Sequence, residues 1–156
     1  MSDDTHPQVH LVAGEFEADV DEGLAPILRL LWEAKVETMS GCQNAGESLA
    51  DLPETEPHMA AYVEARKDTA YIDFFLGGVE GFLTLVAAGH PSEEMWYRMT
   101  HWCAPNAWTN TFLVADDDGI FDALGVQISF PISDIPEILD CLQCEADHFH
   151  QVTGEG

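Results

Sequence analysis

Positive charge is what this chain most conspicuously lacks. Its 156 residues include 5 Lys+Arg against 29 Asp+Glu, a net charge of −24. A protein that grips nucleic acid or an anionic membrane surface needs a basic patch, and the chain has little from which to build one. Long apolar runs are missing too. Each is soon broken by Asp, Glu or Gly, so no stretch is expected to cross a bilayer. The opening residues, MSDDTHPQ, have neither the basic nor the apolar region of a secretion signal, so the expected location is cytoplasmic. The 4 cysteines are too few for a disulfide scaffold at this length, and reduced thiols or a metal fit them better. Nothing in the chain is a catalytic signature.

What is present is enough for a core: 46% of the residues are hydrophobic, an ordinary share. The expected organisation is one α+β domain over residues 9–150, with flexible ends at 1–8 and 151–156. The acids are spread along the chain, through residues 15–22, 47–56, 116–122 and 134–147. Such a coat repels itself at low salt. At about 1 M salt the screening length falls to about 3 Å and the repulsion largely vanishes. Depletion of lysine everywhere points to adaptation to a salty cytoplasm. A functional surface that imitates nucleic acid is the alternative reading.

The stretch around which the rest can be placed is residues 24–43, LAPILRLLWEAKVETMSGCQ. Leu24, Ile27, Leu28 and Leu31 fall on one helical face, with Arg29 and Glu33 opposite. Pro26 suits the first turn and Lys35 the last. Val36-Glu37-Thr38-Met39 then alternates as a half-buried strand, and Ser40-Gly41-Cys42 turns. Before this, Val9, Leu11, Ala13 and Phe16 give a first strand with Gly14 as a bulge. Residues 44–57 form a long polar connection, and residues 58–66 a helix. TAYIDFF, residues 69–75, alternates strongly and reads as a strand. Residues 76–88 read as a helix whose Gly77, Gly78 and Gly81 indicate close packing on the sheet. Gly89-His90-Pro91 ends it. Ser92 caps a short helix reaching about His101. Residues 109–115 and 125–130 form a strand pair around the turn DDDG, which lacks the later ligands of a calcium loop. A last helix runs from Ser133 through residue 149.

Three clusters carry chemistry. Cys42 lies at a strand end, where α/β proteins often place sites. With His58 or His101 as base and Asp73 as orienter it could serve as a nucleophile, or simply fill space as a small hydrophobe. Trp96, Tyr97, Trp102 and Trp108 gather around His101 and Cys103, either as an aromatic pocket or as a satellite core. On the last helix, projection places Glu137, Cys141, Cys144 and His148 together, opposite the core face of Ile135, Ile138, Leu139, Leu142, Ala146 and Phe149. Cys141, Cys144 and His148 have spacings that can share a zinc ion, completed by another element or subunit. A face packed on a second copy is the alternative. Arg66, Lys67 and Arg98 are candidates for internal ion pairs or for holding an anionic ligand.

The segments ILRLLWEAKVETMSGCQN, AYIDFF and VQISFPISDIPEIL resemble a group of small uncharacterised α/β proteins of actinobacteria, haloarchaea and their viruses. The shared features are a T-x-x-S-C-x-G-like turn after the first helix and an F-P-x-x-D-I-P entry into the last. Here Gly41 separates Ser40 from Cys42, and Asn44 stands where glycine is usual. The resemblance covers about a third of the chain and implies no activity. The order of elements predicts an antiparallel or mixed sheet with helices on one face, a variant of the ferredoxin-like split βαβ arrangement. Three functions remain open: a non-catalytic, salt-adapted and oligomeric binding or regulatory module; a small thiol- or zinc-dependent enzyme; and an acidic inhibitor that imitates nucleic acid.

Overall fold

Gly14 divides what alternation reads as one strand. In a computed structural model, which describes residues 7–42, 56–65, 67–117 and 120–153, β1 (Gln8–Ala13) and β2 (Phe16–Asp21) pair antiparallel, with Ala13 opposite Phe16. The connection is Gly14-Glu15, and Gly14 has φ +61. Glycine first in a two-residue turn matches the twist of the flanking strands. The expected bulge is therefore a hairpin, and this pair forms a sheet of its own.

Helix α1 (Ala25–Glu33) buries Ile27, Leu28, Leu31 and Trp32 and packs under β1. It ends in a Schellman motif. The Lys35 amide donates to the Trp32 carbonyl at 2.9 Å, and the Val36 amide to that of Leu31 at 2.8 Å. Lys35 thus lies past the last turn, at φ 66. Val36 is buried in the cap, so β3 (Thr38–Cys42) begins later than the alternation indicates.

The main sheet has the order β3-β4-β6-β5 and is antiparallel throughout. Its other strands are β4 (Thr69–Phe75), β5 (Thr109–Asp117) and β6 (Ile120–Pro131). A 3₁₀ turn (Pro57–Met59) and α2 (Ala60–Ala65) precede β4. Between β4 and β5 come α3 (Leu76–Ala88) and α4 (Glu93–Thr100). A 3₁₀ turn (Ile132–Asp134) leads into α5 (Ile135–Thr153). The expected 44–57 connection and the tip of the DDDG turn fall largely outside the described residues, as does Arg66.

This is an α+β fold. One face of the main sheet, formed by Ala70, Ile72, Phe74, Val126, Ile128 and Phe130, is buried. Helix α3 lies across β4 and β6, and α5 packs on α3 and α1. Phe82 stacks on Phe74 with centroids 4.9 Å apart, and Trp108 meets Phe130 at 5.2 Å. Strands β4 and β5 each run antiparallel to β6 and hence parallel to each other, with β6 between them. That is one split crossover. The order of elements is not the β-α-β-β-α-β of the ferredoxin-like arrangement, which is not confirmed.

The helix glycines divide by role. A Cβ on Gly81 would stand 3.0 Å from Val36, and one on Gly78 3.0 Å from the Glu37 carbonyl, so both allow close packing, whereas Gly77 meets nothing. At Gly89 a Cβ would fall 2.5 Å from the Cys141 Cα, where α3 ends against α5. Its φ of −81 is ordinary. The left-handed residue closing this helix is His90, at φ 61. Gly89 is thus there for contact, and its neighbour makes the turn.

Candidate functional site

Arg98 is one of the few cations in the chain, and it is spent inside the fold. It sits on the inward side of α4. Its Nε donates to Asp134 Oδ2 at 3.1 Å, and its Nη2 donates to Oδ1. Trp108 Nε1 donates to the same Oδ2 at 2.9 Å. The Asp134 side chain is 3% exposed and that of Arg98 24%. The hydrogen bond to Asp134, opposed by partial burial, raises the Arg98 pKa above its ordinary value. A bidentate guanidinium and an indole N–H therefore satisfy a buried carboxylate whose desolvation would otherwise be costly. This meets the ion-pair expectation for Arg98 and assigns it a structural part.

The pair also ties a loop. The Trp108 amide donates to the Arg98 carbonyl at 2.9 Å, so the segment between them leaves and returns at one point, as in an Ω-loop. Within it the Ala104 amide donates to the His101 carbonyl and the Ala107 amide to that of Ala104. Asn106 is left-handed, at φ 59. Held at the neck, the loop lifts Trp102 into solvent, 87% exposed.

This loop forms one wall of a groove of about 980 Å³. The floor is the second face of the main sheet. Strand alternation and register set Thr109 opposite Ser129 and Thr111 opposite Gln127, away from the buried face. Thr109, Thr111 and Ser133 bring exposed hydroxyls, Asn106 an amide and Trp102 an exposed ring. Among the described residues the lining carries one acid, Asp68, beside one cation, Lys67, so in a chain of net charge −24 these two charges balance. Sequence reasoning placed the strands but missed the groove. The available signal was TNTF, whose alternation puts Thr109 and Thr111 on one face and Asn110 and Phe112 on the other.

Of the catalytic candidates, Asp73, His58 and His101 each have other partners. Asp73 accepts a hydrogen bond from Gln127 Nε2 at 3.0 Å, the partner its central position on the sheet required. His58 is exposed, 3.9 Å from Glu56. His101 stacks on Tyr97 at 4.0 Å and meets the Thr100 hydroxyl at 2.9 Å. Neither histidine pairs with Asp73. Cys42 aligns with Tyr71 in the backbone register, but its side chain lies outside the described residues.

The metal candidates divide as well. Cys141 is 3% exposed and belongs to the hydrophobic core, which corrects its expected place on an outward face. The reason is Gly89, which lets α3 close over it. Burial raises the Cys141 pKa, and the Glu137 charge adds to the shift, so the thiol resists becoming a ligand. Cys144 is exposed, and the His148 side chain lies outside the described residues. Glu137 accepts from the backbone N–H and the hydroxyl of Ser92, placing a carboxylate at the start of α4. Among the described residues no cluster of three His, Cys, Asp or Glu could hold a metal ion.

The expected aromatic cluster is divided between the core, the surface and the groove. Trp108 and Met95 enter the main core, whereas Trp96, Tyr97 and Trp102 are exposed. Among the described residues no helix is long and apolar enough to cross a membrane. Comparison with known protein families, curated proteins and solved structures finds no match to the chain.

Proposed function

We propose that the protein is a non-catalytic binding module whose ligand occupies the groove between the Trp102 loop and the second face of the sheet. The observation that carries this reading is an exposed tryptophan held over a floor of hydroxyl side chains. Its volume is at the upper end of small-molecule sites, about 300–1,000 Å³. The acidic coat, in this reading, keeps the protein dispersed in a salty cytoplasm and takes no direct part in recognition. Phe75 at the end of β4 and Leu76 at the start of α3, both exposed, support a self-associating form, which sedimentation at several concentrations would detect.

The test is a fragment screen read by backbone amide NMR, using small polar and aromatic fragments. The expected result is a set of shifts clustering at Asn106, Thr109, Thr111 and the Trp102 indole. Shifts confined to other surfaces, or none, would sink the reading.

A further inference from the structure

We infer that the groove takes a neutral, polyhydroxylated ligand, a saccharide, with one sugar ring stacked on Trp102. This rests on the proposed binding role of the same groove. Three observations point the same way. The first is the balance of charge. Among the described residues the lining holds Lys67 and Asp68 and no further charged residue, and their opposite charges offset each other. A surrounding charge of −24 turns anions away from its mouth.

The second is the type of polar group. Hydroxyls of Thr and Ser both donate and accept, and the Asn106 amide does the same. A floor of such groups matches a ligand that also presents groups able to do both. A ligand of donors only or acceptors only would leave half of that capacity unused. The third is Trp102. An exposed indole offers a flat apolar face with a polar tip. A pyranose is its counterpart, with a patch of C–H groups on one face and hydroxyls around the rim. Stacking on the wall and hydrogen bonding to the floor can then be made at once by one ring. The loop neck at Arg98 and Trp108 ties the backbone that carries the ring.

The experiment titrates the protein with a panel of neutral mono- to tetrasaccharides, built from glucose, galactose, mannose, xylose and N-acetylglucosamine. Uronic acid and amino-sugar versions serve as charged controls. Tryptophan fluorescence and amide NMR are read together on the natural chain and on Trp102→Ala. At least one neutral member should shift the Thr109, Thr111 and Asn106 amides and the Trp102 indole. Trp102→Ala should weaken it at least 10-fold while the melting curve stays unchanged. The matching uronic acid should bind at least 10-fold more weakly at low salt. If fragments cluster in the groove but no neutral sugar does, or if a charged version binds best, the assignment of a neutral saccharide is wrong and the binding site stands. If neither fragments nor sugars reach the groove, both fall.

Discussion

Asp134 serves two donors from different parts of the chain, and removing it leaves both without their partner. Asp134→Ala strands the Arg98 guanidinium and the Trp108 indole N–H in a largely buried site. We expect a loss of about 3 kcal/mol in urea unfolding. Replacing the ion pair together, as Arg98→Met with Asp134→Leu, should recover much of it. Neighbouring residues at the end of α3 should respond in opposite directions. Gly89→Ala drives a methyl into the α5 backbone and should cost about 3 kcal/mol. His90→Gly relieves a left-handed side chain and should gain up to about 1 kcal/mol. Thermal melts of the two variants decide this. Cys141 makes a third case. In the native protein Cys103 and Cys144 should react with iodoacetamide well before Cys141, as peptide mass mapping would show, because burial raises its pKa and blocks access.

At the scale of elements, the segment from β4 to α4 was legible nearly to the residue. Each boundary there carries its own signal: strong alternation in TAYIDFF, a Gly-Pro stop after Ala88, and Ser92 with two glutamates behind it. The Ser92 hydroxyl does accept from the Met95 amide, at 3.2 Å. Two failures have physical causes. Gly14 was read as a bulge because Phe16 falls one position out of step with Val9, Leu11 and Ala13, an offset that one extra residue in a single strand would absorb. The angle of a turn residue, not the pattern, decides whether a chain doubles back. Cys141 was misplaced because it was grouped with the face opposite the apolar stripe, although among those residues it lies nearest the stripe's border. Which border is covered depends on a partner helix, and only the crossing at Gly89 settles that. The β1–β2 hairpin also makes a prediction. His10 lies 2.8 Å from Asp19 and 2.6 Å from Glu17, one ring nitrogen on each. The Asp19 hydrogen bond, then that of Glu17, raises its pKa above the ordinary 6.5. Because the folded value is the higher one, its contribution is complete below about 6.5 and is lost as pH rises through the raised value. His10→Gln should therefore lower the melting temperature at pH 5.5 and leave it unchanged at pH 9. An equal effect at both would remove the clamp.

For the whole molecule, the dominant quantity is charge. With a net −24, circular dichroism melts in about 0.1 M and about 1 M KCl should differ widely, the protein being markedly more stable in the higher salt. Equal melting temperatures would mean that the fold tolerates its own repulsion and would return attention to a basic partner. The sequence made this property plain because charge is additive and needs no geometry. The groove could not be found that way. Its floor comes from β4, β5 and β6, its wall from one loop, and they meet only after the sheet is ordered. The doubly tied neck of that loop also bears on thermodynamics. A free loop must be ordered by its ligand, and the lost entropy is subtracted from affinity. Here an interior carboxylate has already fixed the loop during folding. Association should consequently be accompanied by little change in loop mobility, and a substitution at Asp134, which lines no part of the groove, should appear at Trp102 as a weaker and more entropically opposed complex.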